Sequence, residues 1–369
     1  MDPVPELDLS ADAVTLTQQL VDIESVSLDE RAIADAVEVA LRGLGHLSVT
    51  RRGHTVVART ELGLGERVVI AGHLDTVPVN GNLPCVREQT PDGEVLHGLG
   101  TCDMKGGDAV ILRLAATVPA PVRDVTYVLY EAEEIDSEFN GLRLLALSDP
   151  ELLTADFAIL MEPSNASVEA GCQGTLKADV RTTGERAHSA RSWKGVNAVH
   201  KAGDILDRLA AYDARQPVID GLAYHEGLNA VGIRGGVAGN VIPDECVVSI
   251  NFRYAPDRSA DEAEGFVRDF FDGYEVIVTD NAPGALPGLD RPAAKAFVEA
   301  VGGEVAPKFG WTDVARFTAL DVPAVNFGPG DPTYAHKADE HVRAAEILHC
   351  EDTLRLWLTQ DQSIGGGEG

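Results

Sequence analysis

An α/β fold of two domains, one inserted into the other, is predicted by three observations. The chain has 369 residues, long for a single hydrophobic core. Its first and last parts alternate short apolar strands with amphipathic helices, the pattern of a sheet covered by helices. The middle reads strand, helix, strand, strand, helix, strand, the order of a ferredoxin-like β-α-β-β-α-β module. The predicted division is 1–174 with 285–369, and 175–284 inserted between them.

Taken in order, Ser10 is a plausible N-cap for a helix with Leu16, Leu20 and Ile23 on one face. A second helix carries Ile33, Val37 and Leu41 until Gly43 and Gly45 stop it. Strands follow near Leu47–Arg52, Thr55–Arg59 and Val68–Gly72. Beyond a glycine-rich loop, Ala109–Ala116 reads as a helix, Val125–Tyr130 as a strand, Leu142–Leu147 as a helix and Phe157–Met161 as a strand. The inserted part predicts strands at Thr175–Thr183, Asn229–Arg234, Val247–Tyr254 and Tyr274–Thr279, with helices at Asn197–Leu209 and Ala260–Phe271. A helix at Pro292–Val301, a strand at Pro323–Phe327 and a helix at Ala344–Leu358 resume the first pattern, and Ser363–Gly369 reads as a disordered tail.

Composition excludes several functions. A net charge of −29 argues against nucleic acid or an anionic membrane as partner, because both require a basic face. No apolar run approaches the roughly 20 residues that span a bilayer, and the N-terminus lacks the basic and apolar regions of a signal peptide. A soluble cytoplasmic protein is expected. Cys85, Cys102, Cys172, Cys246 and Cys350 are odd in number and form no Cys-x-x-Cys pair, which favours reduced thiols over a thiolate metal site. A metal would have to rest on oxygen and nitrogen. An anionic substrate would need arginines gathered locally against the acidic background.

The chemistry lies at strand ends. Val68–Gly72 delivers His73, Val125–Tyr130 runs on to Glu133 and Glu134, Phe157–Met161 ends at Glu162, and Pro323–Phe327 leads to His336. In one sheet such ends converge on a single crevice, and Asp103 joins them from the glycine-rich loop. Singly, each carboxylate could be a solvated acid or a helix cap, and His73-Leu-Asp75 an ordinary buried histidine with a partner. Five together point to a metal centre. With Asp103 bridging, His73, Asp103, Glu134, Glu162 and His336 give three donors to each of two ions, the number found at catalytic zinc. Mixed imidazole and carboxylate donors suit zinc, with cobalt or manganese as alternatives. Asp75 shares a strand face with His73 and is placed to orient its ring. Adjacent side chains diverge at a strand end, so Glu133 is free to act as general base beside Glu134. Gly98-x-Gly100-x-x-Asp103 departs from the dinucleotide fingerprint, and neither a phosphate-binding Gly-Lys-Ser/Thr loop nor a Gly-x-Ser-x-Gly elbow occurs.

His73-Leu-Asp-Thr-Val-Pro78, Gly100-Thr-Cys-Asp-Met-Lys-Gly106, Glu133-Glu134, Met161-Glu-Pro163 and His336 resemble the ordered motifs of the M20 family of dinuclear zinc amidohydrolases and peptidases. Ala170-Gly-Cys-Gln-Gly-Thr175, Ala187-His-Ser-Ala-Arg191, Gly236-Val-Ala-Gly-Asn-Val-Ile-Pro243 and Gly310–Phe317 are most similar to its desuccinylase branch in high-GC Gram-positive bacteria. The resemblance implies a zinc-peptidase-like domain with a mixed central sheet flanked by helices, and an inserted module, 175–284, that serves as lid or homodimer interface. It implies His73, Asp103 and Glu162 on one zinc and Asp103, Glu134 and His336 on the other, with a cis peptide after Asp103. It further implies His188 as donor to a tetrahedral oxyanion, and Asn240 and Arg253 at the substrate's polar end. Two segments depart from the broader family pattern, Ala190–Trp193 and Asp313–Phe317, and both are placed against substrate. Arg191, Arg253 and Arg316, with Asp313 beside them, would then supply the local charge for a dicarboxylate amide. The implied activity is hydrolysis of N-succinyl-LL-2,6-diaminoheptanedioate in lysine and diaminopimelate biosynthesis. The alternatives are another N-acyl amino acid such as acetylornithine, or a metal-binding scaffold without turnover.

Overall fold

The computed structural model describes residues 4–360, so the expected tail at 363–369 lies outside the described residues. The chain falls into two compact units. One runs up to Ala170 and takes in Gly288–Ala306 and the chain from Arg316 onward; the other comprises Gly171–Pro287 and Pro307–Ala315.

The first unit is built on a mixed sheet of eight strands among the described residues. Their order is Ser48–Arg52, Thr55–Arg59, Asp124–Tyr130, Arg67–His73, Phe157–Leu160, Ala324–Asn326, Val168–Ala170, Val305–Pro307. Asp124–Tyr130, Arg67–His73, Phe157–Leu160 and Ala324–Asn326 pair in parallel. Thr55–Arg59 and Val168–Ala170 join antiparallel. Every residue of Asp124–Tyr130 is buried, as a parallel strand covered on both faces requires. Because the parallel strands share a direction, His73 and the residues after Tyr130 and Leu160 emerge at one sheet edge. This is the mixed central sheet that the sequence predicts.

The first helix is Ala13–Val21 and its N-cap is Asp12, whose side chain accepts from the Thr15 amide. Ser10, the expected cap, is instead engaged by Asp8, its hydroxyl donating at 2.6 Å. A three-stranded sheet, His341–Arg343, Gly93–His97 and Val86–Thr90, was not legible. Its outer strand, Val-Arg-Glu-Gln-Thr, is exposed and lacks an apolar face. No helix of the described residues is long and apolar enough to cross a membrane.

The second unit has the β-α-β-β-α-β order, with Gly174–Thr183, Gly227–Gly235, Glu245–Tyr254 and Glu275–Ala282 as its long strands. They form an antiparallel sheet with Gly227–Gly235 and Glu275–Ala282 at the edges. Helices Ala198–Ala210 and Ala260–Phe270 bury Ile205 and Val267 with Leu176, Val180, Val248, Phe252 and Phe271, each worth about 1.5–3 kcal/mol when fully buried. Ser259 and Glu262 form a reciprocal capping box at the start of the second helix.

Candidate metal centre

The first unit gathers all five proposed ligands. Donor atoms of His73, Asp103 and Glu162 lie within 4.8 Å of one another, and so do those of Asp103, Glu134 and His336, so that Asp103 belongs to both groups. His73 Nε2 stands 3.0 Å from Asp103 Oδ1. His336 Nε2 is 2.9 Å from both oxygens of Glu134 and 3.4 Å from Asp103 Oδ2.

Local backbone geometry explains the delivery. Glycines let the chain crowd against Met161, the residue before Glu162: a Cβ at Gly107 would lie 2.5 Å from the Met161 carbonyl oxygen, and one at Gly328 2.1 Å from it. Gly107, in the first turn of the helix Gly106–Thr117, and Gly328, just after the strand Ala324–Asn326, therefore let the chain close on the strand end that delivers Glu162. The Asp103–Met104 peptide is cis. His336 has φ +64°, a left-handed conformation uncommon for histidine.

One detail departs from the sequence reading. The nearer of two Asp75 oxygens to His73 Nδ1–H is the main-chain carbonyl, at 3.0 Å, while the Asp75 carboxylate stands 3.5 Å from the same nitrogen. A carbonyl only accepts, so Nδ1 carries a proton, and Nε2 is the ring nitrogen turned toward Asp103. The Asp75 carboxylate is used elsewhere. Its Oδ1 accepts from the Glu133 amide at 2.9 Å, and its Oδ2 from the Glu134 amide at 3.1 Å and the Ser27 hydroxyl at 2.7 Å.

Electrostatically the cluster demands positive charge. Burial opposes ionisation of His73, yet Asp103 and Asp75 outweigh it and raise the imidazole well above its ordinary value. Hydrogen bonds to the Asp103 and Glu134 carboxylates push His336 up to about 10. Burial likewise disfavours the Asp103 carboxylate, but His336 and His73 hold it below the usual range. Burial raises Glu134. Two imidazoles and three carboxylates, arranged as two triads sharing one bridging acid, fit two divalent ions.

The other candidates divide between the units. Arg316 is in the first, where it donates to the Ser137 hydroxyl at 3.1 Å. His188, Arg191, Asn240, Arg253 and Asp313 are in the second. His188 sits on a short strand opposite Val241, and its Nδ1 accepts from the Ala190 amide at 3.1 Å. With Nδ1 accepting, Nε2 is the ring nitrogen that can donate. The Asn240 carbonyl accepts from the Ser189 amide at 2.9 Å, tying the two segments together. Arg191 is exposed and Asp313 fully buried. Arg253 is half-buried, burial pushes its guanidinium down, and Cys172 and Asp280 only partly offset this.

Sequence reasoning missed three supporting groups. Glu30 Oε1 accepts from the Ala132 amide at 3.2 Å, just before Glu133. Lys105 is buried, its ammonium donates to the Ile23 carbonyl at 2.8 Å, and burial pulls it down to about 8. Glu340 is buried beside the Asp103 loop. Each looks like a surface charge when read as sequence.

Comparison with known proteins adds ancestry to this geometry. The pattern of peptidase family M20/M25/M40 matches residues 69–360. A Mycobacterium tuberculosis protein, provisionally named a succinyl-diaminopimelate desuccinylase, is 56% identical over 95% of this chain and 99% of its own. The succinyl-diaminopimelate desuccinylase of Corynebacterium glutamicum is 47% identical, over 96% and 98%. An acetylornithine deacetylase of Salmonella arizonae stands farther off, at 30% over 81% of each chain. Among solved structures, a Staphylococcus aureus tripeptidase shares the fold with a TM-score of 0.77 at 18% identity, over 95% of this chain and 98% of its own.

Proposed function

Because the chain belongs to peptidase family M20/M25/M40, we propose that it is a two-metal amide hydrolase converting N-succinyl-LL-2,6-diaminoheptanedioate and water to succinate and LL-2,6-diaminoheptanedioate. The observation that carries the reaction class is the pair of donor triads sharing Asp103. Near-full-length likeness to desuccinylases supports the succinyl substrate over acetylornithine.

His73, Asp103 and Glu162 would hold one ion and Asp103, Glu134 and His336 the other, with zinc the best match to the donors and cobalt or manganese as substitutes. Bound there, the ions supply Lewis acidity and a water acidified toward neutral pH. Glu133 takes a proton from the attacking water and returns it to the departing amine as the amide C–N bond breaks and the new C–O bond forms. Asp75 fixes the backbone that carries Glu133. His188 Nε2–H donates to the oxyanion. Arg253, whose guanidinium has no hydrogen bond or ion pair among the described residues, is suited to a substrate carboxylate, with Asn240, Arg191, Arg316 and Asp313 around the polar end.

In this reading, residues 175–284 are the lid and dimer module. The edge strand Gly227–Gly235 supports it, since it exposes Val231 and Ile233 beside an unpaired backbone edge. A cytoplasmic location completes the proposal, in keeping with five free, buried cysteines.

The deciding experiment is hydrolysis of the succinyl and acetyl amides by metal-stripped protein before and after two equivalents of zinc. Turnover of the succinyl amide alone, restored by zinc and lost by about 10²–10⁴-fold in Glu133→Gln, is expected. Preference for acetylornithine would transfer the assignment to that substrate. Zinc binding without turnover of either would favour a scaffold.

A further inference from the structure

We propose that Glu340 is a positioning residue of the metal centre, a buried carboxylate that holds the backbone of the Asp103 loop and ties it to the segment bearing His336. The inference rests on reading Asp103 and His336 as metal ligands. Glu340 is 1% exposed. Its Oε1 accepts from the amides of Cys102 and Asp103 at 3.0 and 3.1 Å, and its Oε2 from the amide of Gly100 at 3.0 Å. Its own carbonyl accepts from Gly98 at 3.1 Å. The next residue, His341, pairs with His97. Glu340 thus meets the loop from its first glycine to the bridging aspartate.

The loop needs such an acceptor. It enters with Gly98 and Gly100 at positive φ, and Asp103 and Met104 have non-helical φ/ψ, so the amides of Gly100, Cys102 and Asp103 lie outside any regular ladder. Buried amides require partners, and a carboxylate is the one side chain that accepts three at once without offering a donor in return. Charge-assisted bonds are also the stronger ones.

The consequence reaches the chemistry through geometry. Asp103 serves both donor triads, so a displacement of its backbone disturbs both ions together, and such sites tolerate only about 0.5 Å. Glu340 lies four residues beyond His336, so a single short segment carries one ligand and braces the loop of another. Glu340 itself touches no substrate.

Glu340→Gln is close in shape but places an amide NH2 against a backbone N–H, breaking at least one of the three bonds. Glu340→Asp keeps the charge and shortens the reach, and measuring both leaves the test standing if one folds poorly. Amide hydrogen exchange across 98–103 is followed in metal-free protein, zinc affinity by competition with a chromophoric chelator, and kcat and KM at saturating zinc. The Gly100, Cys102 and Asp103 amides are expected to exchange about tenfold faster or more. Zinc should bind about ten- to a hundredfold more weakly, and kcat should fall with KM unchanged. Wild-type exchange and affinity in both variants would overturn the proposal, as would a lowered melting temperature with affinity intact. Failure of the wild-type chain to bind zinc would overturn the reading of the site, while the metal-free exchange comparison would still decide whether Glu340 holds the loop.

Discussion

The Asp75 carboxylate accepts the backbone amide of Glu133 at 2.9 Å. With Oδ2 on the Glu134 amide and its own carbonyl on the His73 ring, one residue fixes the proposed base, one ligand of each metal and the turn between them. The two carboxylate oxygens are each committed to a donor. Asp75→Asn keeps the shape but presents an NH2 to one amide. Zinc affinity is expected to weaken by about ten- to a hundredfold and kcat to fall at saturating zinc, with KM little changed. Steady-state kinetics alongside a zinc titration read both; wild-type values in both would mean that the carbonyl contact to His73 is sufficient.

Much of this arrangement was legible because buried parallel strands are near-continuous apolar runs, and a polar residue directly after one is placed by the sheet itself. His73 and Glu162 are of this kind. Glu134 and His336 were placed by following the chain a few residues past a strand. Glu340 and Glu30 were hidden for the opposite reason: both accept from main-chain amides far away in sequence, and no side-chain pattern announces a backbone amide in need of a partner. Strand alternation puts Asp75 on one face with His73, and the carboxylate stands 3.5 Å from Nδ1; what alternation does not reveal is that the Asp75 main-chain oxygen comes nearer still, at 3.0 Å. The strand Val86–Thr90 was missed because it has no buried face to imprint a period on its sequence.

Acid should release the metal. His336 is pushed up to about 10 by Asp103 and Glu134, and His73 is raised well above its ordinary value by Asp103 and Asp75 against the effect of burial. Below those values the imidazoles hold protons that an incoming ion must displace, so binding releases protons and affinity rises with pH toward about 10. Between pH 6 and 9 the logarithm of the zinc association constant is expected to climb by about one to two per pH unit. Calorimetric titrations in buffers of different ionisation enthalpy measure the protons directly. Affinity that does not change with pH would mean that these imidazoles bind no metal.

Arg253 offers a test of substrate charge. Its guanidinium is half-buried and has no hydrogen bond or ion pair among the described residues, an arrangement that disfavours the charge unless an anion arrives. Arg253→Met preserves the stem and removes the fork. KM for the succinyl substrate is expected to rise by about tenfold or more, the worth of a charged hydrogen bond, with kcat less affected. Arg253→Lys should recover only part, since an ammonium cannot make the bidentate contact. Equal KM values for wild type and Arg253→Met would remove Arg253 from the substrate's carboxylate.

The edge strand Gly227–Gly235 carries the last expectation. Val231 and Ile233 are 67% and 55% exposed, and among the described residues the strand has a neighbour on only one side of its sheet. An edge with bare backbone and apolar side chains invites pairing, and lysines on such strands are the usual protection against it. If this strand pairs with its copy, the chain sediments at twice 39.2 kDa, and a Val231→Lys, Ile233→Lys variant sediments as a monomer. The metal triads lie wholly in the first unit, so the variant should still bind zinc as tightly as wild type. Its turnover then decides a further point: loss of activity in a folded, zinc-loaded monomer would mean that His188 acts from the neighbouring subunit, whereas full activity would keep it within one chain. A wild-type chain that sediments as a monomer would end the dimer proposal outright.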